Sequence, residues 1–189
     1  EMERCAVEYA TYAYEQVKKA KVACNDPIVL IEQKLDFSRW VPEGFGTGDC
    51  VIVADGTLSV IDFKYGKGVE VRAENNPQMM LYALGALELF DGIYDISAVN
   101  MIIFQPRRDN ISEYAISKEE LLRWANEILT PTAQLAANGD GDFKAGKHCR
   151  FCKVRATCRK LAEYNLALAR YDFEPPATLD NIEIAAILA

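Results

Sequence analysis

Apolar side chains recur at intervals of three and four through residues 6–22, a stretch rich in Ala, Tyr, Val and Lys, and that period predicts an amphipathic helix. Asn25-Asp26-Pro27 stops it. The pattern then changes. Ile28 to Leu35 and Gly48 to Ala54 are mostly apolar runs separated by a Pro/Gly-rich stretch, and both read as strands. Asp55-Gly56 is a hairpin turn, and Thr57 to Tyr65 leaves it as a third strand. From Glu74 to Phe90 the period returns to that of a helix, with Asn75-Asn76-Pro77 before its apolar positions and Asp91-Gly92 after them. Val99 to Gln105 and Ile111 to Ile116 are two further strands. Ser117-Lys118-Glu119-Glu120 resembles a capping box opening a helix that continues from Leu121 to Ala137. After the Gly-rich residues 138–141 come a cysteine-containing segment, a helix near Cys158 to Tyr171, and a tail with Pro175-Pro176. The order helix, three strands, helix, two strands, helix predicts an α/β or α+β fold, a mixed central sheet flanked by helices. Two parts are expected: residues 1–142 as a core with its N-terminal helix, and 143–189 as a basic cysteine segment with a C-terminal helix.

With 189 residues, half of them apolar, the chain buries one sizeable core. No apolar run approaches the roughly 20 residues needed to cross a bilayer, and no basic-then-apolar leader opens the chain. A soluble, cytoplasmic protein without a membrane partner is expected. Because Glu1 lies inside a predicted helix, residues upstream of it are also expected. The net charge of -7 argues against coating nucleic acid by bulk electrostatics. One local exception matters: residues 144–160 hold seven of the 21 cationic residues, Lys147 and Arg150 among them, and no acid. That segment reads either as a solvated basic face or as a patch that contacts phosphate.

Two carboxylates and a lysine carry the clearest chemistry. Asp49 starts one strand and Asp62 lies on the next, joined through the Asp55-Gly56 turn, so the pair is expected to converge at one end of the sheet. Paired carboxylates suit Mg2+ or Mn2+, which keep several waters and accept phosphate oxygens. The backbone carbonyl of Phe63 is a further donor nearby. Lys64 is two residues beyond Asp62 and shares its face of the strand. An acid and a lysine two apart are common on solvent-facing strands. Here Val60, Ile61 and Phe63 make the strand strongly apolar, and polar groups on a buried element need partners.

Gly48-Asp49, then Asp62-Phe63-Lys64, then Gln78 and Tyr82 four apart on a helix resemble the ordered G-D, D-x-K and Q-x-x-x-Y motifs of RecB-like nucleases in the PD-(D/E)XK superfamily. The resemblance covers roughly residues 28–160 and is nearest to phage-encoded RecB-like exonucleases. It implies a restriction-endonuclease-like core that hydrolyses DNA. Asp49 and Asp62 would bind Mg2+ or Mn2+, and Lys64 would position the nucleophile or stabilise charge. Gln78 and Tyr82 would support the site or contact DNA, although an i, i+4 pair by itself is an ordinary feature of a helix face. RecB-like enzymes also draw a His or Glu from a helix ahead of the sheet. This chain's one histidine is His148, which leaves Glu8, Glu15 or Glu32, or a residue upstream, with Glu32 foremost because its strand precedes Asp49. Arg107 and Arg108, after Pro106, are candidate DNA contacts.

Without a leader, six cysteines do not suggest a disulfide framework. Cys149, Cys152 and Cys158 form C-x2-C-x5-C, a spacing open to three corners of a [4Fe-4S] cluster or, with His148, to Zn2+. Adjacent residues rarely ligate one ion, which weakens the zinc set. Several RecB-like nucleases, including CRISPR-associated and AddB-type members, place three cysteines after the nuclease core at this spacing, with a fourth near the N-terminus. The resemblance therefore implies a structural staple, for which Cys5, Cys24 or an upstream cysteine is the fourth ligand. The function expected is a metal-dependent DNA nuclease, an exonuclease of phage or bacterial recombination or repair, with DNA and a repair protein as partners. The competing class is a catalytically impaired module that binds DNA or protein.

Overall fold

A computed structural model describes residues 1–173 and 181–188; Pro175 and Pro176 of the predicted tail lie outside the described residues. The chain divides into two compact units, Glu1–Gly139 and Asp140–Ala189.

The Ala/Tyr-rich period forms helix α1 (Met2–Ala23). It ends where Cys24 turns extended ahead of Pro27, whose ring disfavours helical geometry in the residue before it. Strands β1 (Ile28–Asp36), β2 (Phe45–Ala54) and β3 (Gly56–Phe63) follow as an antiparallel meander. Its tight turn uses Gly56 at φ 83°, a left-handed conformation that glycine adopts without a steric penalty. Helix α2 (Pro77–Phe90) crosses over to β4 (Ile96–Gln105), which lies parallel to β3, and β5 (Asn110–Ser117) returns antiparallel. The five-stranded mixed sheet has the order β1-β2-β3-β4-β5 and is flanked by helices, the α+β arrangement that the pattern predicts.

The predicted helix 121–137 is interrupted. α3 (Lys118–Trp124) and α4 (Thr130–Ala137) are joined by a π turn at Ala125–Leu129. Pro131 explains it: proline has no N–H to give the preceding turn and its ring presses on the carbonyl four residues back, so the helix widens there. In the second unit, short 3-10 turns at Lys147–Phe151 and Arg155–Thr157 precede α5 (Arg159–Phe173), and α6 spans Asn181–Leu188.

The strand period decides which side chains go to which layer. Val51, Val53, Leu58, Val60, Met101 and Ile103 pack against Met79, Ala83, Leu84 and Leu87 of α2 in the main core. On the opposite face Cys50, Ile52, Ile61 and Ile102 receive Tyr9, Tyr12, Ala13 and Val17 of α1. Asn76 caps α2, its side chain accepting from the Gln78 and Met79 N–H groups, with Pro77 as the first helical residue. Both the cap and the burial hold the first turn of α2 over the sheet, and Gln78 rides on that turn.

At Gly85, α2 packs tightly against β1. A Cβ there would meet Leu35 Cβ at 2.8 Å and the Leu35 carbonyl carbon at 3.2 Å. Alanine would gain about 1 kcal/mol in helix propensity, but overpacking against backbone costs roughly 1–3 kcal/mol because no rotamer change relieves it. Gly85→Ala is therefore expected to lower unfolding free energy by up to about 2 kcal/mol in urea titration. An increase would show that β1 shifts freely.

Candidate active site

The β2–β3 ladder ends at the Cys50–Ile61 pair, so the next step along the same register sets Asp49 opposite Asp62. Asp49 uses its side chain to continue the ladder: Oδ2 accepts from the Phe63 N–H at 2.7 Å. Asp62 points into the protein and is 2% exposed. Its Oδ1 accepts from Gln78 Nε2 at 3.3 Å. Its Oδ2 stands 2.8 Å from Lys64 Nζ, an ion pair by distance. That oxygen is buried and has no partner besides the lysine. Lys64 Nζ donates to Gln78 Oε1 at 3.2 Å, and Gln78 Nε2 also donates to the Tyr82 hydroxyl at 3.0 Å. The Gln78 amide thus engages Asp62, Lys64 and Tyr82 together, which the i, i+4 spacing on α2 permits.

Burial pushes the Asp62 carboxyl above the usual carboxylate range, Asp49's charge adds to this, and Lys64 opposes it. A buried carboxylate beside a second carboxylate is a pair that a cation would stabilise. Two hard oxygen donors fit Mg2+ or Mn2+, which protein sites commonly hold through one or two carboxylates, leaving other positions for water and phosphate. Among the described residues no three His, Cys, Asp or Glu side chains gather into a metal-binding group.

Glu32 stands beside the pair without joining it. It falls between the Ile31–Cys50 and Gln33–Gly48 pairs, opposite Asp49, and adopts φ 52°, a left-handed conformation uncommon for a side chain of its size. Glu8 pairs with Arg4 and Glu15 with Lys18 on the exposed side of α1. Phe63 meets the site through its N–H, while its ring packs on Tyr9 at 5.0 Å.

Two participants escape sequence reasoning. Tyr9 of α1 donates to the Ile61 carbonyl at 3.4 Å, and its ionisation is pushed up by burial and by the charges of Cys50, Asp49, Asp62 and Glu32. Gln105, 2% exposed, ties down the segment that links Lys64 to α2: Nε2 donates to the Gly66 and Val69 carbonyls, and Oε1 accepts from the Val71 N–H and Asn110 Nδ2. The one available signal was an amide ending an apolar strand, since buried amides require partners.

Arg107 and Arg108 also reach this segment. Arg107 lies over the Tyr65 ring at 4.6 Å and donates to Glu1 at 2.9 Å, and Arg108 donates to the Lys67 carbonyl at 2.8 Å. Both hold the protein's own backbone and side chains. Of the cysteines, Cys5, Cys24 and Cys50 are buried in the first unit, and the Cys24 thiol faces Asp26 and Asp55. Cys149, Cys152 and Cys158 are half-buried free thiols in the second unit, and Cys149 Sγ accepts from the Gly146 N–H. His148 is engaged by the Lys144 carbonyl at 2.9 Å. Lys147 and Arg150 are exposed, with the Arg150 guanidinium 5.5 Å from the Phe151 ring centre.

An α+β chain with a buried acid–lysine–glutamine constellation is the class that fold and site define. The chain matches a family described as "Protein of unknown function (DUF2800)" over residues 1–189 and belongs to it. A solved structure described as "Crystal structure of SSO0001" is similar at 15% identity and a TM-score of 0.32, over 82% of this chain and 70% of that one. Among the described residues no helix is long and apolar enough to cross a membrane.

Proposed function

We propose that this chain is a RecB-like, metal-dependent deoxyribonuclease of the PD-(D/E)XK type, an exonuclease acting in phage or bacterial recombination or repair. The observation that carries the reading is Asp62: a buried carboxylate set opposite Asp49 and tied to Lys64 and Gln78. Burying one carboxylate beside another is costly, and a shared divalent cation offsets that cost.

Asp49 and Asp62 are the residues to hold Mg2+ or Mn2+. When bound, that ion supplies Lewis-acid activation and charge neutralisation at a phosphodiester. Hydrolysis adds water across one P–O bond, forming a phosphate end and a free hydroxyl. Lys64, directed by Gln78, orients the nucleophile or balances charge gathering on the phosphoryl oxygens. Tyr82 fixes the Gln78 amide. Cys149, Cys152 and Cys158 remain the proposed holders of a [4Fe-4S] cluster, with Zn2+ the poorer fit. Six unbridged thiols suit a reducing cytoplasm.

Lys64→Ala is expected to slow degradation of linear DNA in Mn2+ by about 100-fold or more. DNA binding should persist. Undiminished cutting by the variant would overturn the assigned role. The alternative, a catalytically impaired DNA- or protein-binding module, is favoured by the gathering of two carboxylates without a third ligand, and absence of cutting by the unaltered chain would select it.

A further inference from the structure

The second unit carries a feature that the carboxylate site does not use. All seven cations between Lys144 and Lys160 are exposed, in a chain whose net charge is -7. Exposed aromatic rings accompany them: Phe151 by 78% within the segment, and Phe143 by 76% and Tyr164 by 47% on either side of it. Phe143 and Tyr164 line one cleft of about 470 Å³ together with Lys144 and Lys160. Phe143 and both lysines also line an adjoining cleft of about 720 Å³, to which Arg159 contributes. Asp142 borders the larger cleft and Glu163 both, and Glu163 pairs with Lys160 at 3.2 Å.

We infer that this cleft is a binding site for single-stranded DNA, in which Phe143 and Tyr164 stack on bases while Lys144 and Arg159 contact the backbone phosphates. Exposed rings are costly to leave in water without a partner, and rings set beside cations match a polyanion whose bases are unpaired. A duplex keeps its bases stacked on one another and has no use for the rings. Volumes of several hundred Å³ accept a nucleotide. Arg150 set against Phe151 offers the same cation-and-ring pairing beyond the cleft. The inference names a strand preference for the proposed nuclease but stands on residues remote in sequence from Asp49, Asp62 and Lys64.

The test is fluorescence anisotropy of the full chain carrying Lys64→Ala, in EDTA, with a labelled oligo-dT and a duplex of equal length. Oligo-dT is expected to bind at least ten-fold tighter than duplex. Phe143→Ala and Tyr164→Ala should each weaken it by roughly five-fold or more and leave duplex binding unchanged, while Phe143→Trp restores affinity. Lys144→Glu should flatten the dependence of affinity on salt. Equal binding of the two DNAs, or aromatic variants that bind oligo-dT like the parent, would overturn the inference; competition by heparin with no effect of the rings would reduce the patch to bulk charge. Cutting by the unaltered chain without single-strand preference removes this inference alone. Binding without any cutting removes the nuclease reading and leaves this one.

Discussion

Asp62→Asn is expected to abolish Mn2+-dependent DNA cleavage, by about 1,000-fold or more, while making the metal-free protein less sensitive to rising pH. The two effects share one cause. Asp62 is buried, and its folded-state pKa is raised chiefly by that burial. In the unfolded chain the carboxyl ionises near about pH 4. As pH climbs past that point the unfolded state sheds its proton while the folded state still resists. The stability this group contributes is therefore full below the unfolded pKa and lost as pH rises through the folded one. Asparagine does not titrate, so the pH slope should flatten in the variant. Urea unfolding in EDTA from pH 4 to 8 measures it, and an unchanged slope would mean that another group carries the dependence.

A divalent ion reverses the balance in the parent. At about 100 times its dissociation constant, Mn2+ stabilises by about 2.7 kcal/mol if it binds only the folded state. The parent should show that gain at neutral pH and Asp62→Asn should lose most of it. A gain retained by the variant would place the ion elsewhere.

The parts of this fold that sequence makes legible are those with local causes. The Asp55-Gly56 turn, the Asn76-Pro77 cap and the Ser117 cap each depend on residues within four positions, and each forms where the pattern places it. The alternation of β2 and β3 likewise assigns Val51 and Val60 to one layer and Cys50 and Ile61 to the other. Partners far along the chain are a different matter. Arg107 reads in the sequence as a candidate DNA contact, yet its guanidinium is held by Glu1, more than 100 residues away. The left-handed Glu32 follows from how β1 meets β2 around Asp49, and no local signal announces it. Asp49 itself was expected near Asp62 from the hairpin, but its capture of the Phe63 N–H depends on where the ladder stops. Pro131 is a local cause of the π turn, set within a stretch whose period otherwise matches one continuous helix.

Gln105 shows the same limit at its most consequential, and its loss should be the largest single blow to stability short of the core. One side chain meets four partners, three of them backbone groups of residues 66–71. Gln105→Leu keeps nearly the same volume and removes all four hydrogen bonds. The Gly66 and Val69 carbonyls lie in an exposed stretch and recover partners from water, so their loss is mild. The Val71 N–H is half-buried and Asn110 Nδ2 retains the Val71 carbonyl, which leaves chiefly one orphaned donor and a loosened segment. At about 1–3 kcal/mol for a buried orphan and about 0.5–1.5 kcal/mol for each remaining bond, unfolding free energy should fall by about 2–4 kcal/mol. Gln105→Glu should be at least as harmful, because it converts two donors to acceptors facing the same carbonyls and buries a charge. Amide hydrogen exchange separates local from global loss. Protection of Val71 and Ala73 should fall first, since Ala73 N–H is held by Ser112 on the adjacent strand and depends on the same segment. The β2–β3 ladder should remain protected to the global limit. Because the segment runs from Lys64 to the first turn of α2, loosening it also frees Lys64 from Gln78, and cleavage should drop even at temperatures where the variant is fully folded. A variant with parental stability and parental protection at Val71 would show that Asn110 and Ser112 hold the segment without Gln105.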